Sequence, residues 1–72
     1  MDRDDEKLKK HSVVIAGHQT SVTLENIFWE KLKLITKRNG TSLKALITEI
    51  DENRTSNLSS AIRVYILKNI SD

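Results

Sequence analysis

The chain has 72 residues, no cysteine and a formal net charge of +2. It is long enough for one small domain, whose core seldom stabilises a monomer without disulfides, a metal or a partner chain. The lack of cysteine excludes a disulfide framework and a thiolate metal site, and fits a reducing compartment. No apolar run approaches membrane-spanning length, and the start MDRDDEKLKK is charged rather than signal-like. The sequence therefore predicts a soluble, cytoplasmic protein that contacts no membrane.

The charge is unevenly distributed along the chain. Residues 1–6 carry −3, residues 7–48 carry eight bases against two acids, and residues 49–72 carry −1. A basic centre between acidic ends is compatible with an ordinary solvated surface and with a face that binds nucleic acid. The distribution alone does not separate these two interpretations.

The N-terminal half contains a charged run followed by strand-like sequence. Residues 1–10 are predicted to be disordered, because Leu8 is their only apolar residue after Met1. The next stretch, HSVVIAGHQTSVTL, is rich in β-branched residues and predicts a strand over 19–24 and a second strand over 12–16.

The apolar alternation in this stretch changes phase by one residue near Gly17. Either a bulge or a two-residue turn at Gly17-His18 would produce the shift. In the hairpin alternative, the interior pairs would be Val13 opposite Val22 and Ile15 opposite Thr20.

Apolar residues at helical spacing predict three helices, over about 25–39, 42–52 and 57–70. Thr23 is the expected N-cap of the first, and Gly40 is expected to follow its end. Thr41 and Ser42 are the expected cap residues of the second helix, and either Ser56 or Asn57 is the expected cap of the third. The predicted fold class is mainly α with a short β-ribbon, in a single domain spanning 11–72.

A strand beside three helices leaves an unpaired edge, whose backbone N–H and C=O groups need partners. The same strand of a second copy, antiparallel across a twofold axis, would supply them. We therefore expect an intertwined homodimer in which two chains are needed to bury the shared core. The expected dimer-core residues are Val22, Leu24, Phe28, Trp29, Leu46 and Ile47. The opposite face of the ribbon would present Gln19, Ser21 and Thr23 from each chain.

The stretch TSVTLENIFWEKLKLITKRNGTSLKALITEI resembles the ribbon-helix-helix repressor fold. The segments SVVIAGHQTSVTLE, FW and NLSSAIRVYIL resemble a short bacterial subfamily of ribbon-helix-helix domains that spans nearly this whole length. This resemblance implies an obligate dimer that represses transcription by inserting its ribbon into the major groove of operator DNA. It implies base contacts by Gln19, Ser21 and Thr23, and phosphate contacts at the start of the second helix by Thr41, Ser42 and Lys44. A helix N-terminus independently suits phosphate, because it offers free N–H groups and a positive dipole.

The chain departs from the general fold pattern in three respects. Its predicted base-reading strand contains no Arg or Lys, a strand over 12–16 would give a four-stranded sheet that is broad for the groove, and the third helix is additional. The third helix would cover the dimer or bind a protein partner. The alternative function is accordingly a dimeric protein-interaction module, an adaptor or an antitoxin-like partner, with weak or no DNA binding. The sequence leaves open whether dimers assemble further on DNA.

Two further groups of residues suggest chemical sites. His11 and His18 would approach each other in a hairpin around Gly17 and hold a metal with a carboxylate, and Thr20-Ser21 beside His18 suggests a nucleophile with a base. The chain is short for a catalytic cleft, and no oxyanion-hole loop is evident. We therefore predict no enzyme, no metal site and no cofactor.

Overall fold

A computed structural model describes residues 3–70 and shows a β-hairpin followed by three helices. The elements, after a short 3-10 helix at Arg3–Glu6, are β1 (Leu8–Ile15), β2 (His18–Glu25), α1 (Asn26–Asn39), α2 (Leu43–Asn53) and α3 (Leu58–Ile70). This confirms the predicted fold class, with each predicted helix starting one residue early. Strand β2 extends one residue beyond each predicted end, whereas β1 starts four residues before its predicted start and ends one residue before its predicted end. No helix among the described residues is long and apolar enough to cross a membrane.

The hairpin turns at Ala16-Gly17, where both residues have positive φ, 52° and 81°. Positive φ at both central positions is the mark of a type I′ turn, whose twist matches that of the flanking strands. The two-residue turn that we considered at Gly17-His18 is therefore wrong in position, and so are the pairs derived from it. Ile15 pairs with His18 and Val13 with Thr20. Because this register differs from the predicted one by two residues, the same side chains still face inward.

The N-terminal segment is more regular than we predicted. Strand β1 begins at Leu8, which pairs with Glu25, so Leu8 to Lys10 lie in the sheet rather than in a disordered run. The Asn26 amide donates to the Lys7 carbonyl oxygen at 2.9 Å, and the Asn26 side chain donates to the Asp4 carbonyl oxygen at 2.7 Å. Residues 8–10 join the sheet through backbone pairing with β2, which their charged side chains do not predict. The first two residues of the predicted disordered segment lie outside the described part of the chain.

The first helix starts at a different residue from the one expected. Its N-cap is Glu25, not Thr23, because β2 continues through Thr23 and pairs it with Lys10. At the other end Gly40 adopts the left-handed conformation with φ 66°, as predicted for the residue that ends this helix.

Each of the remaining helices begins with one of its two predicted cap residues. Ser42 Oγ accepts a hydrogen bond from the Ala45 amide at 3.0 Å, and Asn57 Oδ1 accepts one from the Ser60 amide at 2.9 Å. Each cap satisfies a first-turn N–H group that has no partner within its helix.

The core lies between the inward face of the hairpin and the three helices. Its buried apolar residues come from both strands and all three α-helices: Ile15, Val22, Leu24, Leu32, Ile35, Leu46, Ile47, Ile50, Ile62 and Ile66. Val22, Leu24, Leu46 and Ile47, which we expected to need a second chain, are at most 3% exposed within one chain. That expectation is wrong because α3 supplies two fully buried side chains, Ile62 and Ile66, to the same core.

The two aromatic residues of the predicted dimer core behave differently from these four. Phe28 and Trp29 are only partly buried and pack at the margin of the core. Of the predicted set, these two therefore retain surface that a second chain could cover.

Candidate nucleic-acid interface

The outward face of β2 carries a row of polar side chains. Gln19, Ser21 and Thr23 are exposed, whereas the alternate residues Val22 and Leu24 are buried. Successive side chains of a strand point to opposite faces, so the buried pair fixes the orientation of the polar row. The structure thus brings the three predicted base-contacting residues together on one exposed surface, which we call the polar row.

The same three residues also direct their backbone groups to an open edge. The two-residue turn makes Ile15 and His18 a hydrogen-bonded pair, and such pairs alternate along an antiparallel ladder. The Asn26 amide bonded to the Lys7 oxygen continues this alternation at the far end. The N–H and C=O groups of Gln19, Ser21 and Thr23 consequently point away from β1. Since the described sheet has only two strands, this edge of β2 is free for a third.

Strand β1 adds residues to the outward face that sequence reasoning missed. Lys10 lies directly opposite Thr23, and Ser12 lies directly opposite Ser21. Both are exposed, whereas His11 between them faces the helices. The available signal was the alternation of outward Lys10 and Ser12 with inward His11 and Val13. The charged character of residues 1–10 conceals this signal for Lys10, whereas Ser12 lies within the strand predicted over 12–16.

The predicted phosphate-contacting residues form a second exposed cluster at the start of α2. Thr41, Ser42 and Lys44 are all exposed. The Ser42 side chain caps the Ala45 amide, while the first two amides of the helix, on Leu43 and Lys44, have no intrahelical acceptor. No hydrogen bond or ion pair of the described residues joins this cluster to the polar row.

An ion pair fixes α3 to the junction of β2 and α1. Arg63 Nε lies 2.9 Å from Glu25 Oε1, and the guanidinium lies over the Phe28 ring at 5.8 Å from its centroid. A hydrogen bond from its own backbone and the hydrogen bond from Arg63 lower the pKa of Glu25. The pair connects α3 with the last residue of β2.

His11 belongs to the helical side of the sheet. Its ring stacks on Trp29 with 3.7 Å between ring centroids and an interplanar angle of 8°. Burial, followed by the charges of Lys9 and Lys33, lowers the pKa of His11 below 6.5. These effects favour the neutral form of the imidazole. Its Nε2 is buried without a hydrogen-bond partner.

The two histidines do not meet in the hairpin. His11 pairs with Val22, and His18 pairs with Ile15 beside the turn. Among the described residues no group of three His, Cys, Asp or Glu side chains is placed to hold a metal ion. The hairpin therefore separates the residues considered for a metal site.

The residues considered as a nucleophile and base lie beside a cavity of about 290 Å³ near the turn. It is lined by His18, Thr20 and Ser21 together with Asp51 and Arg54 from the end of α2. Asp51 Oδ1 accepts a hydrogen bond from Arg54 Nε at 2.7 Å. No hydrogen bond of the described residues joins His18 to either hydroxyl. The arrangement therefore lacks the nucleophile–base contact that covalent catalysis requires.

Residues 8–70 match the sequence model of the ribbon-helix-helix domain, which covers most of the chain. The chain belongs to the ribbon-helix-helix family. Ribbon-helix-helix domains are commonly DNA-binding regulators, typically act as dimers and have a non-enzymatic fold. The match confirms the resemblance that the sequence motifs indicated.

A solved structure is similar to this ribbon-helix-helix domain over nearly its whole length. It is that of an uncharacterized protein from Bordetella pertussis Tohama I, with a TM-score of 0.82 and 27% sequence identity. The similarity covers 96% of this chain and 60% of that chain, so this chain spans about 60% of that protein's length. No curated protein matches the sequence.

Proposed function

We propose that this ribbon-helix-helix domain is a homodimeric, sequence-specific DNA-binding protein that represses transcription in the cytoplasm. The observation that carries the proposal is the double role of Gln19, Ser21 and Thr23. Their side chains form the exposed polar row, and their backbone groups line the open edge of β2. Antiparallel pairing of β2 with β2 of a second chain would give these backbone groups hydrogen-bond partners. The same pairing would bring the polar rows of the two chains together.

The open edge limits how two copies can pair. Only residues whose N–H and C=O groups point outward can bond across the twofold axis, and these are the odd-numbered residues of β2. An axis at Ser21 would place Ser21 of one chain opposite Ser21 of the other, and Gln19 opposite Thr23. The six polar side chains would then lie side by side at the centre of an antiparallel ribbon.

Such a ribbon offers suitable chemistry to base edges. The Gln19 amide can form two hydrogen bonds to adenine, and the hydroxyls of Ser21 and Thr23 can donate or accept. Thr41, Ser42 and Lys44 would supply phosphate contacts through the free amides and the dipole of α2. The excess of bases over residues 7–48 supports the same conclusion.

The dimer is tested by one proline on each edge of the hairpin. Ser21→Pro removes an N–H from the open edge of β2, whereas Ser12→Pro removes one from the outer edge of β1, and the two serines are direct cross-strand neighbours. Neither change removes a hydrogen bond between β1 and β2. Sedimentation should give a monomer for Ser21→Pro and a dimer for Ser12→Pro. The opposite result would place the dimer contact on β1 and contradict the proposed ribbon.

DNA recognition is tested on a duplex enriched from a random pool by the wild-type protein. Replacing Gln19, Ser21 and Thr23 together by Ala should leave the fold intact, because all three are exposed. Affinity for the enriched duplex should fall by about 1–3 kcal/mol for each good base interaction that is removed. Lys44→Ala should instead weaken binding to all duplexes alike and flatten the salt dependence. Unchanged binding of the enriched duplex by the triple variant would contradict base reading by this row.

A protein-interaction module is the second candidate, and two observations favour it. Pairing through β2 would give four strands whose outer axes are about 14 Å apart, against a major groove about 12 Å wide. The outward side of α3 also exposes apolar residues, with Val64 and Leu67 at 49% and 55%. A wild-type dimer that binds neither random nor enriched DNA at low salt would put this candidate first.

A further inference from the structure

Lys10 stands out on the outward face because it brings a positive charge to a polar row that has none. The register places it directly opposite Thr23, where side chains of an antiparallel pair lie about 5 Å apart. It is exposed, and among the described residues no carboxylate pairs with its ammonium group. Its charge is therefore available to a ligand that approaches the sheet face.

The position of β1 in the proposed dimer indicates which part of DNA Lys10 would meet. With strands about 4.8 Å apart, β1 lies about 7 Å from the twofold axis, while half the major-groove width is about 6 Å. The outer strands therefore lie over the phosphate walls, and the polar row lies over the groove between them. The two copies of Lys10 would then lie over opposite walls.

We propose that Lys10 contacts the phosphate backbone and is the cationic group of this DNA-binding face, with one contact from each chain. The inference rests on the proposed function and extends it to a strand outside the β2 ribbon. It also gives the width of the sheet a role, since the outer strands contact the groove walls instead of entering the groove. An ammonium group bonds phosphate oxygens without regard to the neighbouring base, so the contact adds affinity and no sequence preference.

The adjacent residue provides a matched control. Lys9 carries the same charge on the same strand, but alternation directs it to the opposite face. Its charge helps to lower the pKa of His11, which stacks on Trp29 of α1, and this places Lys9 on the helical side. Lys9→Gln and Lys10→Gln therefore change the net charge equally and differ only in the face on which the charge is removed.

The test measures fluorescence anisotropy of a labelled random-sequence duplex and an enriched duplex across about 50–200 mM salt. Each phosphate contact contributes about 0.9 to the slope of log affinity against log salt, so Lys10→Gln should reduce the slope by about 1.8 for the dimer. At about 0.1 M salt this corresponds to roughly 60-fold weaker binding of both duplexes. Lys9→Gln should weaken binding much less, and Lys10→Arg should retain most of the affinity.

The outcomes separate this inference from the proposed function. If the wild-type dimer binds DNA and Lys10→Gln behaves like Lys9→Gln, the assignment of Lys10 is wrong while the DNA-binding proposal stands. Weaker binding of the enriched duplex alone would make Lys10 a base-reading residue and would also overturn the phosphate assignment. If the wild type binds neither duplex, the proposed function itself fails. Sedimentation of Lys10→Gln should still give a dimer, since Lys10 lies away from the open edge of β2.

Discussion

Replacing Ile66 by Ala tests whether α3 completes the core within one chain. Ile66 is fully buried, and the change deletes three carbon atoms from a site in contact with the central cluster. At about 0.8 kcal/mol for each buried carbon, the transfer energy removed is about 2.4 kcal/mol, and the cavity raises the expected cost to about 3–4 kcal/mol. A chain of this length has a total stability of about 4–11 kcal/mol, so the variant should lose a large fraction of it.

The neighbouring residue is a control with the same chemistry. Leu67→Ala also deletes three carbon atoms from α3, but Leu67 is 55% exposed. It should cost only about 0.5 kcal/mol or less. Urea unfolding followed by circular dichroism, at one fixed protein concentration, measures both changes. With a slope of about 1 kcal/mol per molar urea, Ile66→Ala should lower the midpoint by about 3 M. Equal midpoints for the two variants would refute the packing of α3 against the core.

Three further predictions concern pH and the two tight turns. The unfolded chain takes up a proton at His11 near pH 6.5, whereas the folded chain resists protonation, so stability should fall as the pH drops below about 6.5. His11→Phe should keep the ring stacking and abolish this fall in stability, which urea midpoints at a series of pH values would reveal. Ala16→Asn should raise the free energy of unfolding by up to about 1 kcal/mol, because Asn tolerates positive φ better than Ala. This gain would appear as a higher midpoint of thermal unfolding. Gly40→Ala should cost about 1 kcal/mol in the same assay, from conformation alone, since open space surrounds the added Cβ.

The helices and the orientation of β2 were predictable because their causes are local. Leu32 and Ile35 recur at helical spacing, and Ser42 and Asn57 cap helices through bonds to residues three positions away. The alternation of Val22 and Leu24 with polar neighbours directed the polar row outward. A register error of two residues did not disturb this prediction, since it preserves the face of every side chain.

The strand before the turn was harder to predict because its cause is not local. Lys9 and Lys10 have little preference for a strand, and their segment becomes β1 only because β2 offers a paired backbone from Thr23 to Glu25. The exposure of Lys10 beside the polar row is a consequence of that pairing. Sequence reasoning that left the segment disordered could not find this part of the candidate interface.

The sequence by itself determined which side chains are buried and which face of β2 carries the polar row. It did not determine what covers the buried side chains. An apolar stripe shows that one side of a helix or strand is buried in the folded protein. It does not show what covers that side, because the hydrophobic effect is non-directional and favours contact with any apolar surface. The unpaired strand suggested a second chain as the cover for Val22 and Leu24. Only the tertiary structure shows Ile62 and Ile66 of α3 in that place, because the position of α3 depends on contacts between residues far apart in sequence, such as Arg63 with Glu25.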